Sequence, residues 1–348
     1  SDQSPAPAIE QLLRPHCRRP LPTPPCIRPC GSVDRYERLN RIDEGSYGVV
    51  YRGRDRITGE IVALKRLKCE HQDRNGFPVT DLREIHSLLW IKHENIVNVR
   101  EIVVGGGFPP KVFIVMDFLE HDLKTLMAGM RSPFMQSEVK TLMLQLLSAV
   151  ATLHRNWIVH RDLKTSNLLM NNRGRVKVAD FGLARKFGSP LGPMTVPVVT
   201  LWYRAPELLL GTKEYTTAVD MWSIGCIFGE LILKEPMMPG RGEIDQLNQI
   251  FKLLGTPNEE IWPGFSKLPS AKSINFTQQP CVTYNMLRTK FKYVTASGID
   301  LLSRLLAYDP AQRITAEEAL KHPYFSEHPP PQHPDLFPSW PSKASKER

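Results

Sequence analysis

The chain has 348 residues, 41% of them hydrophobic, with 45 Lys and Arg against 36 Asp and Glu, a net charge of +9 and a pI near 9.2. No stretch approaches the ~18 apolar residues of a membrane helix, Ser1–Arg35 has no apolar core of a secretory signal, and six scattered cysteines are too sparse for a disulfide scaffold and fit a reducing compartment. The basic balance comes without a long Lys/Arg run or a nucleic-acid motif, so it predicts a solvated surface that attracts phosphates and acidic partners, and direct nucleic-acid binding is not expected.

Residues 1–35 are rich in Pro and Arg and lack apolar periodicity, which predicts a flexible tail. The first residue is Ser1, which leaves the native start open. Cys17, Cys26 and Cys30 with His16 match no closed four-ligand zinc spacing. Between 36 and 118 come short strand-like runs such as Ile61–Leu64 and Val112–Val115, interrupted by one helical pattern from Leu82 to Lys92. After His121 the pattern turns helical. Val139, Leu142, Met143, Leu146, Leu147, Val150 and Leu153 mark one face of a long helix, with Ser137 as its expected cap. Residues 326–348 are Pro-rich and predict a surface tail anchored by Phe337 or Trp340. The fold class expected is α+β and bilobal, with a sheet-rich lobe at 36–118, a mainly helical lobe at 119–325 and a ligand cleft between them.

The first motif is Asp43-Glu44-Gly45-Ser46-Tyr47-Gly48-Val49-Val50, a turn flanked by strands. Its glycines let backbone N–H groups approach phosphate oxygens without a Cβ in the way. By itself such a turn is only a turn. Val62-Ala63-Leu64-Lys65 then sets a lysine inside an apolar strand, which is costly unless the ammonium meets anions such as the phosphates of ATP. Glu84, on the helix that follows, is expected to hold that lysine.

The decisive stretch is His160-Arg161-Asp162-Leu163-Lys164-Thr165-Ser166-Asn167, followed by Asp180-Phe181-Gly182. Asp162 can accept the proton of an incoming hydroxyl and aim it at a γ-phosphate. Lys164 can neutralise charge on the transferred group, and Asn167 and Asp180 can hold Mg²⁺.

These motifs, with Ala205-Pro206-Glu207, Asp220 and Arg313, resemble those of eukaryotic protein kinases over roughly Tyr36 to Phe325. The resemblance implies a bilobal kinase fold with ATP and Mg²⁺ as cofactors. Asp220 would brace the catalytic loop and Arg313 would pair with Glu207. Met116 would be the gatekeeper, and the connector Asp117, Phe118 and Leu119 would bond the purine through its backbone. Ile42, Ala63, Asp122 and Leu169 would complete the nucleotide-binding set.

Pro78-Val79-Thr80-Asp81-Leu82-Arg83-Glu84 resembles the cyclin-contacting helix of cyclin-dependent kinases, PITSLRE/PISSLRE type, as do Trp262-Pro263-Gly264 and Leu254-Gly255-Thr256-Pro257. Asp43, an acid in place of the usual first loop glycine, leans to PITSLRE, and Pro193-Met194-Thr195 leans to PISSLRE. The resemblance implies a cyclin docked around 78–92 and an activating phosphate on Thr195, received by Arg83, Arg161 and Arg185. It further implies inhibitory phosphorylation of Ser46 and Tyr47, Thr200 beside Asp162 and Lys164, Ser/Thr-Pro substrates, and a nuclear or cytoplasmic setting with the nucleus favoured. The alternative reading is a kinase-fold scaffold that acts by partner binding. The intact Lys65, Glu84, Asp162, Asn167 and Asp180 argue against it.

Overall fold

The computed structural model describes residues 30–45, 48–67, 85, 89–106, 111–187, 200–213, 216–271 and 285–341. Ser46, Tyr47, Arg83, Glu84, Thr195, Cys17 and Cys26 lie outside them, as does most of 78–92.

The first lobe is a six-stranded sheet of β1 (Gly31–Ser32), β2 (Tyr36–Gly45), β3 (Gly48–Asp55), β4 (Ile61–Leu67), β5 (Val99–Gly105) and β6 (Lys111–Asp117), ordered β1-β5-β6-β4-β3-β2. Consecutive antiparallel pairing of β2, β3 and β4 follows from their short turns. β1 pairs in parallel with β5, and Arg35 reaches Asp55 at 2.6 Å. Gly31–Arg35 thus joins the first lobe through sheet bonds and charge. Of the helical pattern at 82–92, Ile85 and Leu89–Trp90 are helical, while Ile91 and Lys92 are not.

The second lobe is mainly helical, with α1 (Leu123–Gly129), α2 (Gln136–Arg155), α3 (Pro206–Leu209), α4 (Ala218–Leu233), α5 (Glu243–Leu254), α6 (Leu287–Lys290), α7 (Ala296–Leu305) and α8 (Ala316–Leu320). Short strands β7 (His121–Asp122), β8 (Ile158–Val159), β9 (Leu168–Met170), β10 (Val176–Val178) and β11 (Arg185–Lys186) lie at the cleft. The expected cap Ser137 proves to be inside the first turn of α2. Met135 is the cap residue, and its N–H is taken by the Glu138 carboxylate at 2.8 Å. A carboxylate three positions into a helix satisfies an otherwise orphan donor as well as a Ser hydroxyl would.

Helix α4 is apolar nearly all round and buried from Ala218 to Leu231, so it is the central post of the lobe. One apolar cluster joins it to α2 and runs up to Leu67, Ile96 and Ile114 of the first lobe. A second, made of Tyr36, Val62, Leu64, Val103, Phe113 and Val115, covers the far face of the sheet.

The C-terminal stretch packs back across α2. The fully buried Lys140 ammonium donates to the carbonyls of Glu327 at 2.9 Å and Pro329 at 2.7 Å and lies over the Tyr324 ring. Phe337 is buried against Phe134, and Trp340 meets the same ring edge-on.

Candidate active site

Side chains alternate along a strand, and residues opposite each other share a face. The register sets Lys65 across from Val50 and Ile114, and Ala63 across from Arg52 and Met116. Val62 and Leu64 belong to the far-face cluster, so Val50, Ala63, Lys65 and Met116 share the opposite face, toward the cleft. Lys65 is 8% exposed, and its Nζ lies 3.5 Å from Asp180 Oδ1, an ion pair that bridges the lobes. In the glycine turn Asp43 pairs with Val50, Glu44 with Val49 and Gly45 with Gly48. A Cβ on Gly48 would collide with the Arg66 carbonyl, so only glycine lets β3 run this close to β4. Ile42, on β2, is exposed.

The catalytic loop hangs from α4. Asp220, fully buried, accepts the N–H of His160 at 2.9 Å and of Arg161 at 2.8 Å, and takes a third bond from His154 Nε2 at 2.9 Å. Arg161 has φ of 70°, a left-handed conformation that is strained for a residue with a Cβ. The two backbone bonds to Asp220 hold that turn. Burial alone would raise the Asp220 pKa, but His154 and the Arg161 N–H outweigh it and keep the carboxylate below its ordinary range.

Beyond that turn, Asp162 Oδ2 accepts from Lys164 Nζ at 2.8 Å and from Asn167 Nδ2 at 3.1 Å. Asn167 Nδ2 also donates to the Asp162 carbonyl at 2.8 Å. Asp162 Oδ1 is buried and has no hydrogen bond among the described residues. Burial raises the Asp162 pKa, against the pull of Lys164. Asp180, also at positive φ (63°), carries a buried Oδ1 with no hydrogen bond among the described residues, 3.5 Å from the Lys65 ammonium. A buried oxygen without a donor is rare and costs stability. Two of them facing one cleft mark where a proton donor and a cation would bind. With its nitrogen committed to Asp162, Asn167 would have its carbonyl oxygen left to face a cation. Among the described residues no three His, Cys, Asp or Glu gather as a metal site. The donor set instead suits a hard cation shared with phosphate oxygens.

On the connector, the Asp117 N–H is taken by the Asn98 carbonyl at 3.2 Å, whereas the Leu119 N–H has no hydrogen bond among the described residues. The Arg52 guanidinium covers the Phe118 ring. Asp122 caps α1 with one oxygen, accepting the Thr125 N–H at 2.7 Å, and pairs across β7–β9 with Leu169. Arg161 Nε donates to the Leu183 carbonyl at 2.7 Å, and Arg185 Nη1 to that of Ala184 at 2.9 Å, so both reach the segment after Asp180. Glu207 and Arg313 form a buried bidentate pair at 2.8 and 3.1 Å.

Thr200 is exposed and makes no hydrogen bond among the described residues, and the backbone there leads directly into the turn at Leu201–Tyr203.

Some of the site's supports were not read from the sequence. Thr165 Oγ1 donates to Glu230 Oε1 at 3.0 Å and lies 3.2 Å from the Tyr203 hydroxyl, which donates to Glu230 Oε2 at 2.6 Å. The signal was present: a carboxylate in the otherwise apolar run Ile227–Leu231 must have partners. Asp117 joins Arg100 at 3.2 Å and Lys177 at 2.9 Å, tying β5, β6 and β10 behind the connector.

Residues 36–325 match the family model described as protein kinase domain. The chain is 58% identical over 325 residues to cyclin-dependent kinase 11B of Homo sapiens, an alignment covering 93% of this chain and 40% of that protein. It is 54% identical over 317 residues to cyclin-dependent kinase 11 of Dictyostelium discoideum, covering 91% and 87%. The chain belongs to the cyclin-dependent kinase family of protein kinases. Its relatives extend to plants, with 57% identity over 324 residues to cyclin-dependent kinase G-2 of Oryza sativa subsp. indica, covering 91% of this chain and 45% of that one. The chain thus spans less than half the length of the human and rice cyclin-dependent kinases named here. No helix among its described residues is long and apolar enough to cross a membrane.

Proposed function

We propose that this chain is an active cyclin-dependent serine/threonine kinase that transfers the γ-phosphate of ATP to Ser/Thr-Pro sites. The observation that carries the reading is Asp162 Oδ1, buried and without a donor among the described residues, beside Lys164 in a site that also holds the Lys65–Asp180 pair. A substrate hydroxyl donates to Asp162 and its oxygen forms the new bond to the γ-phosphorus. The bond from that phosphorus to the β,γ-bridging oxygen breaks, ADP leaves, and the proton ends on Asp162. Lys164 faces the charge on the transferred group. Lys65 holds the α- and β-phosphates, with Glu84 as its partner. Asp180 and Asn167 would hold Mg²⁺, which when bound would neutralise phosphate charge. The adenine meets the Leu119 N–H beside Met116, and the ribose meets Asp122.

Control follows from charge. A phosphate on Thr195 would draw Arg83, Arg161 and Arg185 together by bidentate bonds. A cyclin docked around 78–92 would seat Glu84, and phosphates on Ser46 or Tyr47 would repel those of ATP. Val198–Arg204 would face the residue after the phosphorylated one. Proline fits there because it has no N–H to leave unsatisfied. Resemblance favours the nucleus.

The test is phosphate transfer from Mg·ATP to a Ser-Pro peptide by the chain alone and with its co-purified partner, beside Asp162→Asn. Activity that needs the partner and is lost in the variant supports the reading. Mg·ATP binding without turnover in either preparation would favour the scaffold. Equal rates on Pro and Ala peptides would reject the proline preference, and a loss below about twofold in Thr195→Ala would reject the phosphosite.

A further inference from the structure

The C-terminal stretch past the family match, 326–341, ends against the nucleotide side of the cleft. Strand β7 has only two residues, His121 and Asp122, and pairs with β9 through Met170 and Leu169. A pair this short fixes little by itself. Its back is closed by other groups. His121 is 8% exposed, and its Nε2 lies 2.8 Å from Asn172 Oδ1. The backbone N–H of Trp340 donates to the same oxygen at 3.2 Å. That bond fixes Asn172 Oδ1 as an acceptor, so His121 Nε2 carries the proton. The Trp340 ring stands edge-on to His121 with centroids 6.4 Å apart and edge-on to Phe134 at 6.2 Å. The strap is seated just before this point, where Phe337 lies over Gly174 of the β9–β10 turn. That glycine has φ of 66°, and an added Cβ would lie 2.8 Å from the Phe337 ring.

We infer that Trp340 and Asn172 are positioning residues for nucleotide binding, clamping β7 and β9 from behind so that Asp122 and Leu169 keep the places from which they meet ribose and adenine. This rests on the nucleotide-site reading of those two residues. Neither Trp340 nor Asn172 touches ATP, peptide or the reacting atoms. Their effect should fall on ATP affinity and leave turnover and peptide binding alone.

The experiment titrates the chain carrying its C-terminal segment with Mg·mant-ATP by fluorescence. It then measures kcat and both KM values with the partner-activated enzyme. Trp340→Ala and Asn172→Ala should each raise the mant-ATP Kd and the ATP KM about fivefold, the equivalent of ~1 kcal/mol. Their kcat and peptide KM should stay within about twofold of the parent. Trp340→Phe should bind nearly as the parent does, as should Leu336→Ala, a change at a 70% exposed position of the same segment. If Trp340→Ala does not fold, Asn172→Ala carries the test. Unchanged nucleotide affinity in the variants, or an equal fall in kcat and peptide affinity, overturns the inference. A parent chain that binds no Mg·mant-ATP overturns the underlying nucleotide-site reading, and this inference with it.

Discussion

Thr165→Val probes the buried support of the catalytic loop. Thr165 is fully buried, and its hydroxyl is one of two that hold Glu230, itself 3% exposed and in no ion pair among the described residues. Valine keeps the shape but leaves Glu230 Oε1 without a donor. A hydrogen bond to a buried charged group is worth ~1.5–3 kcal/mol, so about 2 kcal/mol of stability should be lost near pH 7.5. That corresponds to a Tm lower by about 3 °C. Burial raises the Glu230 pKa above its ordinary 4.5 while the two hydroxyls lower it. Stability linked to the protonated form is therefore present below that ordinary value and lost as pH rises through the folded pKa. Removing Thr165's hydroxyl raises the folded pKa further, so the variant's deficit should grow with pH and shrink to below about 1 kcal/mol near pH 5. Urea unfolding at both pH values measures it, with Thr165→Ser as the rescue. A deficit under about 0.5 kcal/mol at pH 7.5, or one larger at pH 5, would refute the reasoning.

Asp162→Asn should lower kcat by about 10²–10⁴-fold while Mg·ATP still binds, as read by peptide phosphorylation and nucleotide titration. Arg313→Leu strands the Glu207 carboxylate in the core and should cost about 3–5 kcal/mol in urea unfolding. The double change with Glu207→Gln should cost less than the two singles added. Asp220 is held ionised in the fold, so its stability contribution is present above its ordinary pKa of 3.8 and lost as pH falls through the lower folded value. Asp220→Asn should therefore be less stable than the parent at neutral pH, with the gap closing below about pH 4. A gap that widens on acidification would show that Asp220 is not the carboxylate responsible.

The fold was legible where a local pattern decides structure. Ile61–Leu64 and Val112–Val115 fall within β4 and β6, and the spacing of Val139 to Leu153 marks the buried face of α2. The site was legible because Asp162, Asn167 and Asp180 sit close together in the chain, in an order that chemistry restricts. What stayed hidden depends on distant residues. Met135 caps α2 because Glu138 turns back to it, and Ser137 has no such duty. Thr165 reads as a loop threonine until α4 brings Glu230 to it, 65 positions away.

Lys140 has a consequence for the order in which this chain can be completed. Its ammonium lies at the heart of α2, yet the carbonyls that satisfy it come 187 and 189 residues later. At translation rates of ~5–20 residues per second, a nascent second lobe spends roughly ten to forty seconds with that charge unmatched. In that interval α2 must leave Lys140 open to water, and the lobe can close over it only after residue 329 has emerged. Residues 327–329 are the ones that let the middle of the chain become dry.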